Sequence, residues 1–377
     1  MKRMLLKGWV LYVFLLILPA FSCDKDNPVI PPVEEEDEGD LTAINYSPQV
    51  YNIPRPLGFS VMPGVPPSNP TTVAGVELGR HLFYDTKLSS DGRMSCASCH
   101  LQNLNFTDGT AKSLGVTNQL GKRSAMSLLN IGYANRGLFW DGRVRTLEEQ
   151  ALIPVEDPVE LHENWDNVVE KLKKDKNYPR MFREAFGITH RDSINKFWAA
   201  RALAQFQRAM VSGNAKFDRV VYLNQEDFTE SEARGYDMYF DISPNMPDAE
   251  CAHCHNSPLF TSNQYFNNGI TEVASLEDFP DKGLGAITGS RFDNGKFRAP
   301  SLRNIALTAP YMHDGRFKTL EEVIDHYNSG GHRIENTDPL IRVLGLTEQQ
   351  KKDILNFLHT LTDTSFTSDP RFADPFK

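Results

Sequence analysis

Two five-residue stretches of this chain carry chemistry, Cys96-Ala-Ser-Cys99-His100 and Cys251-Ala-His-Cys254-His255. Two thiols three residues apart on one turn reach the two vinyl groups of a haem, and the histidine that follows places an imidazole under the iron. Cys96, Cys99, Cys251 and Cys254 thus read as the attachment points of two covalent c-type haems, with His100 and His255 as proximal ligands. The competing readings fit less well, since a redox dithiol needs no following histidine and a zinc site more often pairs its cysteines differently.

The fifth cysteine, Cys23, has another use. Residues 1–22 hold Lys2, Arg3 and Lys7 and then an apolar run, which is the pattern of a secretory leader rather than of a membrane span. The run ends in Leu-Pro-Ala-Phe-Ser-Cys23 and resembles a bacterial lipobox, so Cys23 is expected to be lipidated after cleavage and to anchor an exported protein to a membrane, on its periplasmic side. Residues 23–45 are Pro-rich and then acidic and offer little to bury, which suits a flexible tether. The chain has 377 residues, 40% of them hydrophobic, enough for two domains, and a formal charge of -9 that falls to -12 without the leader. A nucleic-acid partner is not expected of so acidic a chain.

The elements that must position the two motifs occur twice, because the chain is an imperfect duplication. Gly79-Arg-His-Leu-Phe-Tyr-Asp85 echoes Gly235-Tyr-Asp-Met-Tyr-Phe-Asp241 ahead of the motifs. Behind them Ser127-Leu-Leu-Asn-Ile131 matches Ser301-Leu-Arg-Asn-Ile305, and Asp141-Gly-Arg-Val-Arg-Thr-Leu-Glu-Glu149 matches Asp314-Gly-Arg-Phe-Lys-Thr-Leu-Glu-Glu322. Apolar residues recur at helical spacing over 165–186, 192–210, 231–240 and 347–361, and no stretch alternates as a strand does. The expected fold is mainly α, with two tandem cytochrome c-like haem domains over residues 46–220 and 221–377 and a boundary near 213–229.

Equivalent positions of a duplication face their haems alike, and thirteen residues beyond Asp141 stands Pro154 whereas thirteen beyond Asp314 stands Tyr327. Proline cannot ligate iron and a tyrosine phenolate can. If this position is distal, the first haem is open to a small ligand and the second is closed. Met312, His313, His326 and Met246 compete with Tyr327 as closing ligands, and Tyr327 also reads simply as a packed aromatic.

From about Gly75 to Leu361 the chain resembles the bacterial dihaem cytochrome c peroxidases and their relative MauG. The markers are Leu78-Gly-Arg-His-Leu-Phe-Tyr-Asp-Thr-Lys-Leu-Ser89, Phe139-Trp-Asp-Gly-Arg143, Glu160-Leu-His162, Arg298-Ala-Pro-Ser-Leu-Arg-Asn304 and Thr308-Ala-Pro-Tyr-Met-His-Asp-Gly315. The resemblance implies that Trp140 lies between the haems, that Glu160 is the acid and base over the peroxidatic haem, that Gln150 is a distal amide and Pro154 a distal proline. Three departures qualify it. Val116 stands where classical members hold a distal histidine after Ser-x-Gly, so activity without prior reduction is expected. Tyr327 stands where they hold a methionine, as in MauG. The family's interdomain calcium uses an asparagine matched here by Ser124, with carbonyls at Thr308 and Pro310.

Glu160 is then expected to take the proton of hydrogen peroxide and return it to the leaving oxygen. The leading expectation is a peroxidase that reduces hydrogen peroxide to water with electrons from an exported donor such as a small cytochrome c, acting alone or as a homodimer. The alternatives are a MauG-like oxidase that modifies a protein or other substrate, and a dihaem electron-transfer cytochrome with both irons closed.

Overall fold

Seven of the described helices begin where a threonine or asparagine oxygen can accept the first free N–H groups. Thr72, Thr146, Asn164, Asn195, Thr229, Thr319 and Thr347 all do so. The computed structural model describes residues 39–377, so the expected leader, Cys23 and the first part of the tether lie outside the described residues. In chain order the helices are α1 (Val73–Tyr84), α2 (Leu147–Glu156), α3 (Trp165–Lys173), α4 (Tyr178–Phe186), α5 (Lys196–Ala209), α6 (Lys216–Val221), α7 (Glu230–Phe240), α8 (Cys251–Cys254), α9 (Gly285–Thr288), α10 (Leu320–Ser329) and α11 (Glu348–His359). Strands β1 (Tyr265–Phe266) and β2 (Phe297–Arg298) form a short antiparallel ladder. The mainly α expectation holds.

Several boundaries differ from the sequence reading. The stretch 165–186 is two helices, because the Asp175 carboxylate accepts the N–H groups of Asn177 and Tyr178 at 2.8 and 3.3 Å and Pro179 suits a fresh helix start. The stretch 192–210 opens on a 3-10 turn and becomes α-helical only at Lys196, where Asn195 caps it. Helices α1, α2 and α10 lie outside the stretches for which apolar spacing predicts a helix. The tether expected to run to residue 45 is already packed at Leu41, which is buried and donates its N–H to the Thr189 carbonyl at 2.9 Å.

Two main apolar cores result. The first gathers Leu78, Leu82 and Phe83 of α1, Phe182 of α4 and Leu203 and Phe206 of α5. The second gathers Met238 and Tyr239 of α7, Ile324 of α10, Ile354 and Phe357 of α11 and Phe217 of α6. Residues 213–229, expected as a boundary, are thus partly helical and supply a core side chain. The expected second unit ran to Lys377, yet Phe366 and Phe372 pack in the first core and the Tyr84 hydroxyl donates to the Phe372 carbonyl at 2.6 Å.

The duplication is visible in the packing. α1 crosses α5 at Gly79, where any Cβ would strike the Ala202 carbonyl, and α7 crosses α11 at Gly235, where it would strike the Asp353 carbonyl. Asn130 and Asn304 both take the left-handed conformation at φ 61°. Both α2 and α10 open with a Thr-x-x-Glu capping box, Thr146 with Glu149 and Thr319 with Glu322. A buried ion pair, Arg303 to Asp218 at 2.8 Å through both guanidinium ends, ties α6 to the segment after β2.

Candidate functional site: two cavities and their partition

Each motif is wound into a single turn, so that His100 N–H donates to the Cys96 carbonyl at 3.0 Å and His255 N–H to the Cys251 carbonyl at 2.9 Å. The turn brings both thiols and the imidazole to one wall. Burial pushes the Cys96, Cys251 and Cys254 thiols up to about 12 and Cys99 to about 11. A redox dithiol or a zinc site depends on thiolates, whereas neutral thiols beside an apolar cavity fit addition to haem vinyl groups.

The histidines are oriented by backbone. Nδ1 of His100 lies 2.8 Å from the Phe106 carbonyl, and Nδ1 of His255 lies 3.0 Å from the Pro300 carbonyl and 3.2 Å from that of Phe260. A carbonyl can only accept, so Nδ1 carries the proton and Nε2 keeps its lone pair for a metal. Burial lowers both pKa values and keeps both rings neutral, as ligation needs. The Tyr239 hydroxyl braces the second motif by donating to the His255 carbonyl at 2.6 Å.

The first cavity is lined by Cys96, Cys99, His100, Gln150, Pro154 and Glu160 together. Gln150 and Pro154 sit on α2, and the chain turns back after it so that Glu160 N–H reaches the Asp157 carbonyl and Leu161 N–H the Pro154 carbonyl, at 3.0 and 3.1 Å. Val116 is buried, and its N–H donates to the Glu160 carbonyl at 2.9 Å. Gly115 beside it has no side chain because a Cβ would meet the Val159 carbonyl. The Glu160 carboxyl is pushed up to about 7, first by burial and then by the Asp157 charge, with Arg143 pulling the other way. A carboxyl near 7 can take up and give back a proton in neutral solution.

The second cavity is lined by Cys251, Cys254, His255 and Tyr327, and also by Ser124, Thr308 and Pro310. Tyr327 projects from α10 as Pro154 does from α2. Burial pushes its phenol up to about 12, and the Asn268 side-chain N–H, 3.2 Å from the phenol oxygen, works against that shift. The same amide lies 3.5 Å from the Met312 sulfur, and the Asn268 carbonyl accepts from His326 Nε2 at 2.9 Å. His313 lines both cavities with its ring stacked on Phe297 at 3.7 Å, while Met246 packs against the second core. Ser124 donates its hydroxyl to the Met312 carbonyl at 2.9 Å. The carbonyls of Thr308 and Pro310 accept no hydrogen bond from the described residues, which leaves hard oxygen donors of the kind calcium takes.

Trp140 belongs to both cavities, with its indole N–H donating to the Ser124 carbonyl at 3.0 Å. The partition also contains Arg298, whose backbone N–H donates to the Trp140 carbonyl at 2.9 Å. Sequence reasoning assigned no role to Arg298, Asn268 or Arg143. Arg143 and Arg298 stand in two of the family markers, but what ties them and Asn268 to the site are contacts that span 44 to 172 positions of chain, or charge alone, which a local motif does not state.

The profile of the family described as "Di-haem cytochrome c peroxidase" matches residues 73–227. The methylamine utilization protein MauG of Methylorubrum extorquens is 34% identical over 78% of this chain and 80% of its own length. A cytochrome-c peroxidase, IdrP1, of Pseudomonas sp. (strain SCT) is 34% identical over 79% of this chain and 83% of its own. A crystal structure described as a MauG-like protein associated with microbial copper homeostasis superposes with TM-score 0.78 at 38% identity, over 87% of this chain and all of that one.

Proposed function

The chain belongs to the dihaem cytochrome c peroxidase and MauG family, an oxidoreductase family with two c-type haems, and from that premise we propose that it reduces hydrogen peroxide at the haem held by His100, with electrons from an exported donor such as a small cytochrome c. The observation that carries this reading is Glu160, whose carboxyl is held near 7 in the cavity that His100, Gln150 and Pro154 also line.

The residues divide the work. Glu160 in its ionised form accepts the proton of the bound peroxide and, once protonated, returns it to the leaving oxygen, so that water departs. Gln150 offers an amide N–H and carbonyl to orient the peroxide. Pro154 keeps the distal face clear, since it has no atom to bind iron. The haem, when bound, supplies the two-electron reduction of the O–O bond. Trp140, the indole common to both cavities, shortens the path between them, and Tyr327 closes the second. Ser124 and the carbonyls of Thr308 and Pro310 would hold a calcium ion, which would supply a fixed positive charge near Trp140. The folded part hangs from a bacterial membrane by lipidated Cys23; no helix among the described residues is long and apolar enough to cross one.

A second reading has its own support. Tyr327 with the Asn268 amide, and the likeness to a MauG-like protein associated with microbial copper homeostasis, favour an oxidase that acts on a protein or other substrate instead of drawing electrons from a donor. Steady-state peroxide consumption by the fully ferric, haem-loaded protein with a reduced artificial donor separates the two. Fast turnover without prereduction, lost in Glu160→Gln, supports the peroxidase. A long-lived oxidised spectrum with little turnover supports the oxidase, and no spectral response at all defeats both.

A further inference from the structure

Among the described residues three arginines are buried, Arg208, Arg298 and Arg303, and of these Arg298 alone lacks a carboxylate partner; the part-buried Arg123 has such partners too. Arg303 pairs with Asp218 at 2.8 Å, Arg208 with Glu148 at 2.8 Å, and Arg123 with Asp141 and Asp281 at 2.6 and 2.7 Å. Arg298 is only 5% exposed, and among the described residues no carboxylate lies within ion-pair distance of it. Its Nε–H donates to the Phe139 carbonyl at 3.2 Å, one terminal nitrogen to the Asn263 side-chain oxygen at 3.1 Å, and the other to the Met126 sulfur at 3.6 Å. A guanidinium has five N–H groups. Three bonds leave one N–H unused on each terminal nitrogen.

A buried, fixed positive charge without an anion is costly, because its lost hydration is not replaced by an opposite charge. Deprotonation offers little escape, since an arginine keeps its proton far above neutral pH. The strand that carries Arg298 forms part of the partition, and its side chain borders both cavities. Each c-type haem brings two propionate carboxylates, and two parallel N–H groups match a carboxylate edge.

We propose that Arg298 is a carboxylate-binding residue of the partition, holding a haem propionate through its two unused N–H groups and setting the potential of that haem. The proposal rests on the two-haem reading. With its backbone N–H on Trp140 and its Nε–H on Phe139, Arg298 also ties that propionate to the indole that separates the cavities. Because the residue borders both cavities, either haem can supply the propionate, and the measurement decides which one.

The test uses full-length haem-loaded protein and the variants Arg298→Gln and Arg298→Lys, after mass spectrometry has counted the haems attached. Fewer than two haems on the unaltered protein defeats the two-haem reading itself rather than this proposal. With two attached, removing the positive charge favours the ferric iron. In Arg298→Gln the ferrous-to-ferric ratio of one haem at a fixed applied potential is expected to drop by about tenfold or more, and its propionate bending band in the resonance Raman spectrum to move. Arg298→Lys keeps the charge but replaces the fork by a point donor, so that haem's potential stays near its parental value while the propionate band still moves. Should Arg298→Gln fail to mature, the lysine variant decides alone. Propionate bands of both haems identical to those of the parent in the lysine variant, or bands and potentials both unmoved in the glutamine variant, overturn the proposal.

Discussion

Pro154 and Tyr327 are each the eighth residue of a ten-residue helix that opens on a Thr-x-x-Glu capping box, and each lines the cavity of its own CxxCH motif. One position in a duplicated scaffold therefore carries a residue that cannot bind iron in the first copy and one that can in the second. On the proposed reading, that single side chain would make the two centres unlike.

Replacing Tyr327 by phenylalanine tests that asymmetry. The phenol oxygen and its Asn268 partner are lost while the ring and its packing stay. The second haem is expected to become five-coordinate and high-spin in its ferric form, seen by optical and electron paramagnetic resonance spectra. An unchanged low-spin signal would transfer the ligand role to Met312 or His313, the competing candidates that also line this cavity.

Glu160→Gln keeps the shape of the first cavity and removes the proton acceptor. Both haems stay attached, and peroxide turnover falls by roughly 10²-fold or more. Turnover equal to the parent's would take Glu160 out of the reaction.

The same carboxyl sets a pH dependence. Its pKa is raised to about 7, the ionised form is the one that accepts the proton, and that form is depleted as pH falls. Peroxide turnover in kcat/KM is expected to be level above about 7 and to drop about tenfold per pH unit below it. This acid limb should vanish from the residual activity of Glu160→Gln; its persistence there would assign it to another group.

Trp140→Phe removes the indole N–H that reaches the Ser124 carbonyl and shrinks the aromatic surface shared by the two cavities. After one equivalent of peroxide, the spectral change at the second haem should be delayed relative to that at the first. Equal rates in variant and parent would leave Trp140 as a packing residue.

Arg303→Met tests the scaffold without touching the cavities' proton chemistry. It strands Asp218, only 3% exposed, as a buried charge and is expected to cost about 3 to 5 kcal/mol, read as a lower Tm. Adding Asp218→Leu to the same protein should restore most of that loss, because the pair as a whole contributes little compared with either charge left alone.

Much of this protein was legible in one dimension. Haem attachment needs two thiols and an imidazole within five consecutive residues, so Cys96, Cys99 and His100 declare themselves locally, as do Cys251, Cys254 and His255. The duplication makes Pro154 and Tyr327 comparable positions along the chain alone, because both copies keep the same count of residues from their Asp-Gly-Arg segments. Helix ends were less legible. Asn195 and Asp175 decide them through single hydrogen bonds that outweigh the apolar periodicity around them. What only the tertiary structure decided are the contacts between residues far apart in sequence: Phe366 and Phe372 returning to the first core, Asn268 standing between Tyr327 and Met312, and Arg298 buried in the partition with no carboxylate beside it. The physical reason is that burial and charge compensation are properties of a surrounding volume. A sequence records which groups follow one another, and the folded chain alone determines which groups share that volume.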